Sequence, residues 1–343
     1  MIKNFIKNHT IHPKIAKYLD IFFLLNPLYF SIIWMLICWG MAASYYSNLN
    51  SHLFYFSLSF VSDDFLFFLG LTLIISSINI KTQISELSFL DWKKNKDKFN
   101  LDLNHLYVCP NFISVKNSSK IALFLLIIGF SIIFFISLKI FSIYLIYLIT
   151  SVFFNKNFST IISFKEFILK CIFRIILFYL LFLSGWVYNN SYDLLIINTF
   201  IFIFALIPII LIYEILLLET LSDKEKVNRQ FIYDKKYLLT FLSLFIMTTL
   251  FLATFYFIFY KDPIITHYSL ISIPFLCYAF FRGESRDYIR SFRYSVLIIN
   301  ILLSWTLYPF LGIALFCIYF ISKYYYWHRF NIHFPSFSIE NDS

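Results

Sequence analysis

Runs of about twenty apolar residues recur along this chain, and they constrain its fold more than any motif does. A helix needs about 20 such residues to cross a bilayer. Nine segments qualify, at roughly 21–44, 54–80, 121–138, 140–154, 166–189, 194–218, 238–260, 264–281 and 294–322. The division of 121–154 into two rests on Lys139, read as marking a tight turn. The expected fold class is all-α: a polytopic membrane protein of about nine transmembrane helices, one domain over residues 1–343.

Charge is scarce. Only 14% of residues are charged and 60% are hydrophobic. A water-facing surface cannot be covered with so little charge, which excludes a soluble enzyme or a disordered chain. It also excludes a nucleic-acid-binding domain, despite the net charge of +9. The 46 Phe and 25 Tyr accompany abundant Ile, Lys and Asn. That pattern reads as AT-rich coding, so any single aromatic is assigned to packing. The five cysteines, Cys38, Cys109, Cys171, Cys277 and Cys317, form no C-x-x-C pair, and the histidines show no H-E-x-x-H spacing. Neither a disulfide framework nor a zinc site is expected. The basic stretch Met1 to Lys17 has no cleavable small-residue site after the first apolar run, which is expected to remain as a helix.

The distribution of cations orients the spans. With the N-terminus inside, 23 of the 28 Lys and Arg fall on the inner side. That bias follows the positive-inside rule, with a cytoplasmic N-terminus and an outer C-terminus in a bacterial-type inner membrane. Merging the third and fourth spans would destroy it. Two inner loops, 81–120 and 219–237, are long and polar. Asp63 and Asp64 sit in the outer half of span two, where paired acids are expensive. They are expected to cap a helix beginning at Phe65. Arg282, Arg286, Arg290 and Arg293 recur at helical spacing and read as an anchor at anionic lipid.

Two acidic clusters end spans at the inner face. Asn79, Gln83 and Glu86 are four and three apart, so a continuing helix puts three oxygen ligands on one face. Asp91 is rotated off that face unless the helix ends or bulges before it. Glu219 and Asp223 are one helical turn apart at the end of span six, with Glu225 facing elsewhere. Lys165, Lys170 and Arg174 enter span five from the same side. Oxygen ligands beside cations suit Mg²⁺ bridging a phosphate. The structural alternative is ordinary charged helix ends at an interface.

In chain order these features resemble the UbiA superfamily of intramembrane prenyltransferases. The segment Thr82-Gln83-Ile84-Ser85-Glu86, then Asp91 and Asn95-Lys96, is similar to its first acidic motif, with Glu86 replacing Asp and Asp91 one residue late. Ile113-Ser114 resembles a segment ahead of the third span. Phe158-Ser159 with Phe164-Lys165 resembles the motif entering span five, without its Pro and Arg, and Gly185 sits where the family often has Gly. Glu219-x-x-x-Asp223 resembles the second acidic motif, with Val227 in place of the third acid and Arg229 after it. The tail Tyr325-Tyr326-Trp327-His328-Arg329-Phe330 is similar to tails of some members.

The resemblance implies helices around a central cavity and prenyl transfer from a prenyl diphosphate to a small-molecule or lipid acceptor, such as a quinone precursor. Mg²⁺ would be held by Gln83, Glu86, Asp91, Glu219 and Asp223, of which Glu86, Asp91 and Asp223 are read as catalytic. Lys165, Arg174, Asn79 and Arg229 would bind the diphosphate. Two other classes stay open: a transporter or flippase of an anionic lipid, and a non-catalytic homologue. No internal repeat or abundance of Gly favours the transporter.

Overall fold

A computed structural model describes residues 11–48, 62–89, 115–157, 164–189, 273–278, 280–282, 296–304 and 308–330, with single residues between 247 and 294. The described residues contain helices and no strand. In chain order the helices are α1 (Ile11–Leu24), α2 (Phe30–Asn48), α3 (Ser62–Phe89), α4 (Val115–Ile136), α5 (Leu138–Asn157), α6 (Phe164–Asn189) and α7 (Pro309–Phe330). Four stretches among them are long and apolar enough to cross a membrane: Asp63–Thr82, Lys116–Ile136, Ile168–Tyr188 and Pro309–His328. The chain is an integral membrane protein. The spans at 194–218 and 238–260 lie outside the described residues, apart from single positions in the second.

Two expected spans are divided, and the expected separation of spans three and four falls close to Lys139, each break for a local reason. Span one breaks after Leu24. Asn26 adopts the left-handed conformation, φ 57° and ψ 64°, and a 3₁₀ turn over Pro27–Tyr29 leads into α2. Pro27 disfavours helical geometry at the preceding residue, and Asn tolerates the left-handed region better than most. The amides of Leu25 and Asn26 donate to the Phe22 and Phe23 carbonyls, tightening the last turn of α1. The second break falls at Ser137, two residues before Lys139, where the Ser137 carbonyl accepts the first amide bond of α5 from Phe141. The third divides 294–322: helical residues reach 304, and α7 begins at Pro309 and runs on to Phe330. There the Tyr308 amide donates to the Leu303 carbonyl, closing the end of the preceding helix. The helix of span two, expected to begin at Phe65, starts at Ser62. Asp63 and Asp64 occupy its first turn, where carboxylates complement the helix N-terminus.

The chain packs as two compact units. One comprises Met1–Ser31, Val61–Ile136 and Ile313–Ser343. In it α3 and α4 run antiparallel. Gly70 faces Ile133, Gly129 faces Ile74, and the Ser77 hydroxyl donates to the Ala122 carbonyl at 2.6 Å. Leu24 of α1 packs with Ile80 and Ala122. The same helix is tied to α7: the Tyr325 hydroxyl donates to Asp20 Oδ1 at 2.6 Å, and Phe23 stacks on the Tyr325 ring at 3.9 Å. One end of α1 brings His12 Nδ1 within 2.7 Å of the Tyr324 hydroxyl and stacks its ring on His328. The aromatic tail that resembled a family feature thus holds the N-terminal helix.

The other unit comprises Ile32–Phe60 and Ser137–Gly312. Its α2 and α6 cross at Gly40 and Gly185, where backbone meets backbone. Trp39, Phe182 and Trp186 pack around the crossing. Its α5 and α6 are joined by the buried pair Tyr144 and Ser184, 3.0 Å apart. Phe135 and Phe281 are exposed while Phe67 and Phe178 are fully buried. The aromatics thus serve both core packing and the lipid-facing surface.

Candidate functional site

The site is built on α3. This helix has 28 residues, about 42 Å of rise, which exceeds the roughly 30 Å hydrocarbon core. Its apolar stretch ends at Thr82, so the last turns carry Gln83 and Glu86 beyond it. The helix is continuous through Phe89. Asn79, Gln83 and Glu86 therefore do share one face, as the spacing required. The side chains of Gln83 and Glu86 lie outside the described residues, as do Asp91, Glu219, Asp223, Glu225 and Arg229 in full.

The polar face extends further into the membrane than the motif. Thr72 and Ser76 precede Asn79 at the same three-and-four spacing, and both are buried. The ordinary fate of a hydroxyl in such a helix is a bond to a nearby carbonyl. Thr72 donates to the Phe68 carbonyl at 2.6 Å and Thr82 to the Ile78 carbonyl at 2.9 Å. Ser76 is fully buried, and its hydroxyl makes no hydrogen bond. Asn79 Nδ2 is likewise buried and makes none. A buried amide donor left without a partner is costly, so such groups call for explanation. The same helical period, continued back from Asn79, reaches Ser76 and Thr72 in the sequence.

The cations on α6 are arranged differently from the expected set. Lys165 and Arg174 are nine residues apart, which at about 100° per residue puts them on opposite faces of the helix. Lys170 is one turn from Arg174 and shares its face. Lys170 is 7% exposed and Arg174 is half-buried. A Lys so deeply buried is rare without partners, and the sequence reading counted it only as an inner-face charge. Near Arg282, the Tyr278 ring lies 5.3 Å from the guanidinium carbon and its hydroxyl accepts a guanidinium hydrogen bond. Arg286, Arg290 and Arg293 lie outside the described residues.

No family model matches the chain, and no curated protein does. One solved structure has the same fold. It is that of digeranylgeranylglyceryl phosphate synthase, described in membranes, with a TM-score of 0.56 and 16% identity. The match covers 85% of this chain and 96% of that one. At such identity the likeness establishes the fold.

Among the described residues no three His, Cys, Asp or Glu side chains gather as metal ligands. The oxygen donors that would do so are those of the acidic motifs. The fit to Mg²⁺ rests on the donor chemistry of α3. Gln83 and Glu86 share a face, two turns past the buried polar atoms of Ser76 and Asn79, and both types supply the hard oxygen ligands that Mg²⁺ prefers.

Proposed function

We propose that this chain is an intramembrane prenyltransferase of the UbiA type, moving a prenyl group from its diphosphate to an acceptor. The observation that carries this reading is α3: a polar face running through an apolar helix to Glu86, within a fold like that of digeranylgeranylglyceryl phosphate synthase. Without that face, the fold alone would leave a transporter or scaffold equally supported.

Gln83, Glu86 and Asp91 would hold Mg²⁺ at the first motif, and Glu219 and Asp223 at the second. When bound, the metal neutralises diphosphate oxygens and so favours departure of the diphosphate. Arg229 would supply further positive charge to the leaving group, as would either Arg174 with Lys170 or, on the opposite face of α6, Lys165. The allylic C–O bond breaks, and diphosphate departs with the electron pair. The acceptor then donates an electron pair to the allylic carbon and releases a proton. The apolar helices would shield the allylic cation from water.

The test is Mg²⁺-dependent release of diphosphate from geranylgeranyl or farnesyl diphosphate by purified protein. Glu86→Ala and Asp223→Ala are expected to reduce release at least 100-fold while insertion in the membrane is unchanged. Full activity in both variants would sink the assignment. Absence of any binding by the parent protein would favour the transporter or scaffold.

A further inference from the structure

We propose that Ser76 and Asn79 form a hydrogen-bonding subsite for a neutral oxygen of the acceptor molecule. This assignment rests on the prenyl-transfer reading. It moves Asn79 from the diphosphate, the role that the family resemblance implied, to the acceptor.

Three observations carry it. The first is a contrast in hydrogen bonding along α3, whatever the state of buried hydroxyls on other helices such as Ser118 and Ser322. Thr72, Ser77 and Thr82 on the same helix each bond a carbonyl, whereas Ser76 Oγ and Asn79 Nδ2 are buried and make no hydrogen bond. The Thr72 carbonyl, one turn back, is the usual acceptor for a hydroxyl at Ser76, and it is not used. Among the described residues neither atom has a partner.

The second is position around the helix. Gly70, Ile74 and Ser77 meet α4, and Ile80 packs with Leu24 of α1. At about 100° per residue, Ser76 and Asn79 lie roughly opposite the α4 side. They share that side with Gln83 and Glu86. Asn79 is about 10 Å deeper along the helix axis than Glu86, and Ser76 about 15 Å. A diphosphate held at Glu86 would extend inward over the first part of that distance. The acceptor meets the allylic carbon next.

The third is charge. The buried polar residues of this unit include Asp20, Asn26, Thr72, Ser77, Ser118 and Ser322. Among the described residues it contains no buried Lys or Arg. A diphosphate at this depth would have, among the described residues, no buried cation of the unit to stabilise it. Asn79 Nδ2 only donates, while Ser76 donates and accepts. That pair suits a neutral hydroxyl, phenol or carbonyl oxygen.

The test uses full-length protein in detergent, with Ser76→Ala and Asn79→Leu made separately. Thermal unfolding is measured alone, with Mg²⁺ and geranylgeranyl diphosphate, and with hydroquinone added as the phenolic probe. Removing an unpartnered buried polar group should raise the unliganded midpoint by about 1–3 °C. The diphosphate-induced shift should be retained, and the hydroquinone shift should fall to less than half. Lower unliganded midpoints in both variants would mark the side chains as structural and overturn the assignment. Loss of the diphosphate shift together with the hydroquinone shift would return the pair to the diphosphate. A hydroquinone shift that is unchanged in the variants, or absent from the parent, also refutes it. A parent protein with no diphosphate shift marks failure of the prenyl-transfer reading itself, and the acceptor subsite falls with it.

Discussion

Gly185→Ala tests how closely two helices of this protein must approach. A methyl group at Gly185 would lie 2.1 Å from the Ile37 carbonyl oxygen and 3.0 Å from the Met41 amide nitrogen. Across the same crossing, a methyl at Gly40 would lie 2.0 Å from the Phe182 carbonyl oxygen and 2.9 Å from the Trp186 amide nitrogen. Each closest approach is about 1 Å or more short of ordinary contact. The obstacle is backbone on both sides, so no side chain can rotate away. α2 and α6 must separate, loosening the packing of Trp39, Phe182 and Trp186, which are all essentially fully buried. Overpacking of this kind costs about 1–3 kcal/mol, and the rigid obstacle places Gly185→Ala near 3 kcal/mol. That corresponds to a fall of about 4 °C in the unfolding midpoint of purified protein, followed by tryptophan fluorescence. One separation relieves both clashes, so the Gly40→Ala/Gly185→Ala double variant should fall little further than the worse single variant. Gly70→Ala is the control. Its methyl would meet the Ile133 Cδ1 side-chain end at 2.9 Å, which can shift, and it should cost about 1 kcal/mol or less. A midpoint for Gly185→Ala within 1 °C of the parent, or full additivity in the double variant, would refute the close-crossing argument.

Two further outcomes follow from the first unit. Asn26→Gly should be tolerated because glycine adopts the left-handed conformation freely, whereas Asn26→Val should cost about 1–2 kcal/mol and lower the unfolding midpoint by several degrees. Equal midpoints for the two would show that the backbone at Asn26 is not held there. Tyr325→Phe keeps the ring stacked on Phe23 but removes the donor to Asp20, costing about 1–3 kcal/mol. Limited proteolysis should then cleave near α1 faster than in the parent, and an unchanged cleavage rate would refute the tie between α1 and α7.

The candidate site was partly legible in the residues. The spacing of Asn79, Gln83 and Glu86 required only that a helix continue past the membrane, and α3 continues to Phe89. Lys165 and Arg174 were read as partners because they enter one span, yet helical register separates them and joins Arg174 to Lys170. That register was available in the sequence once the start of α6 was fixed. The break near Ser137 was marked by Lys139, whereas the break at Asn26 was harder to read. An Asn-Pro pair inside an apolar run reads as a membrane span until the chain is seen to turn there. Hydropathy averages over the few residues at which a helix is interrupted.

The sequence by itself determined that the chain is a bundle of membrane helices. That constraint is local: a bilayer demands a certain length of apolar residues, and so few charges leave no other solution. Tertiary structure alone decided which polar groups within those helices are satisfied. Ser76 and Ser77 are neighbours of the same type, yet Ser77 reaches the Ala122 carbonyl of α4 while Ser76 makes no hydrogen bond. The difference is a rotation of one residue about the helix axis. It places one hydroxyl against a neighbouring backbone and leaves the other with a bond still to make.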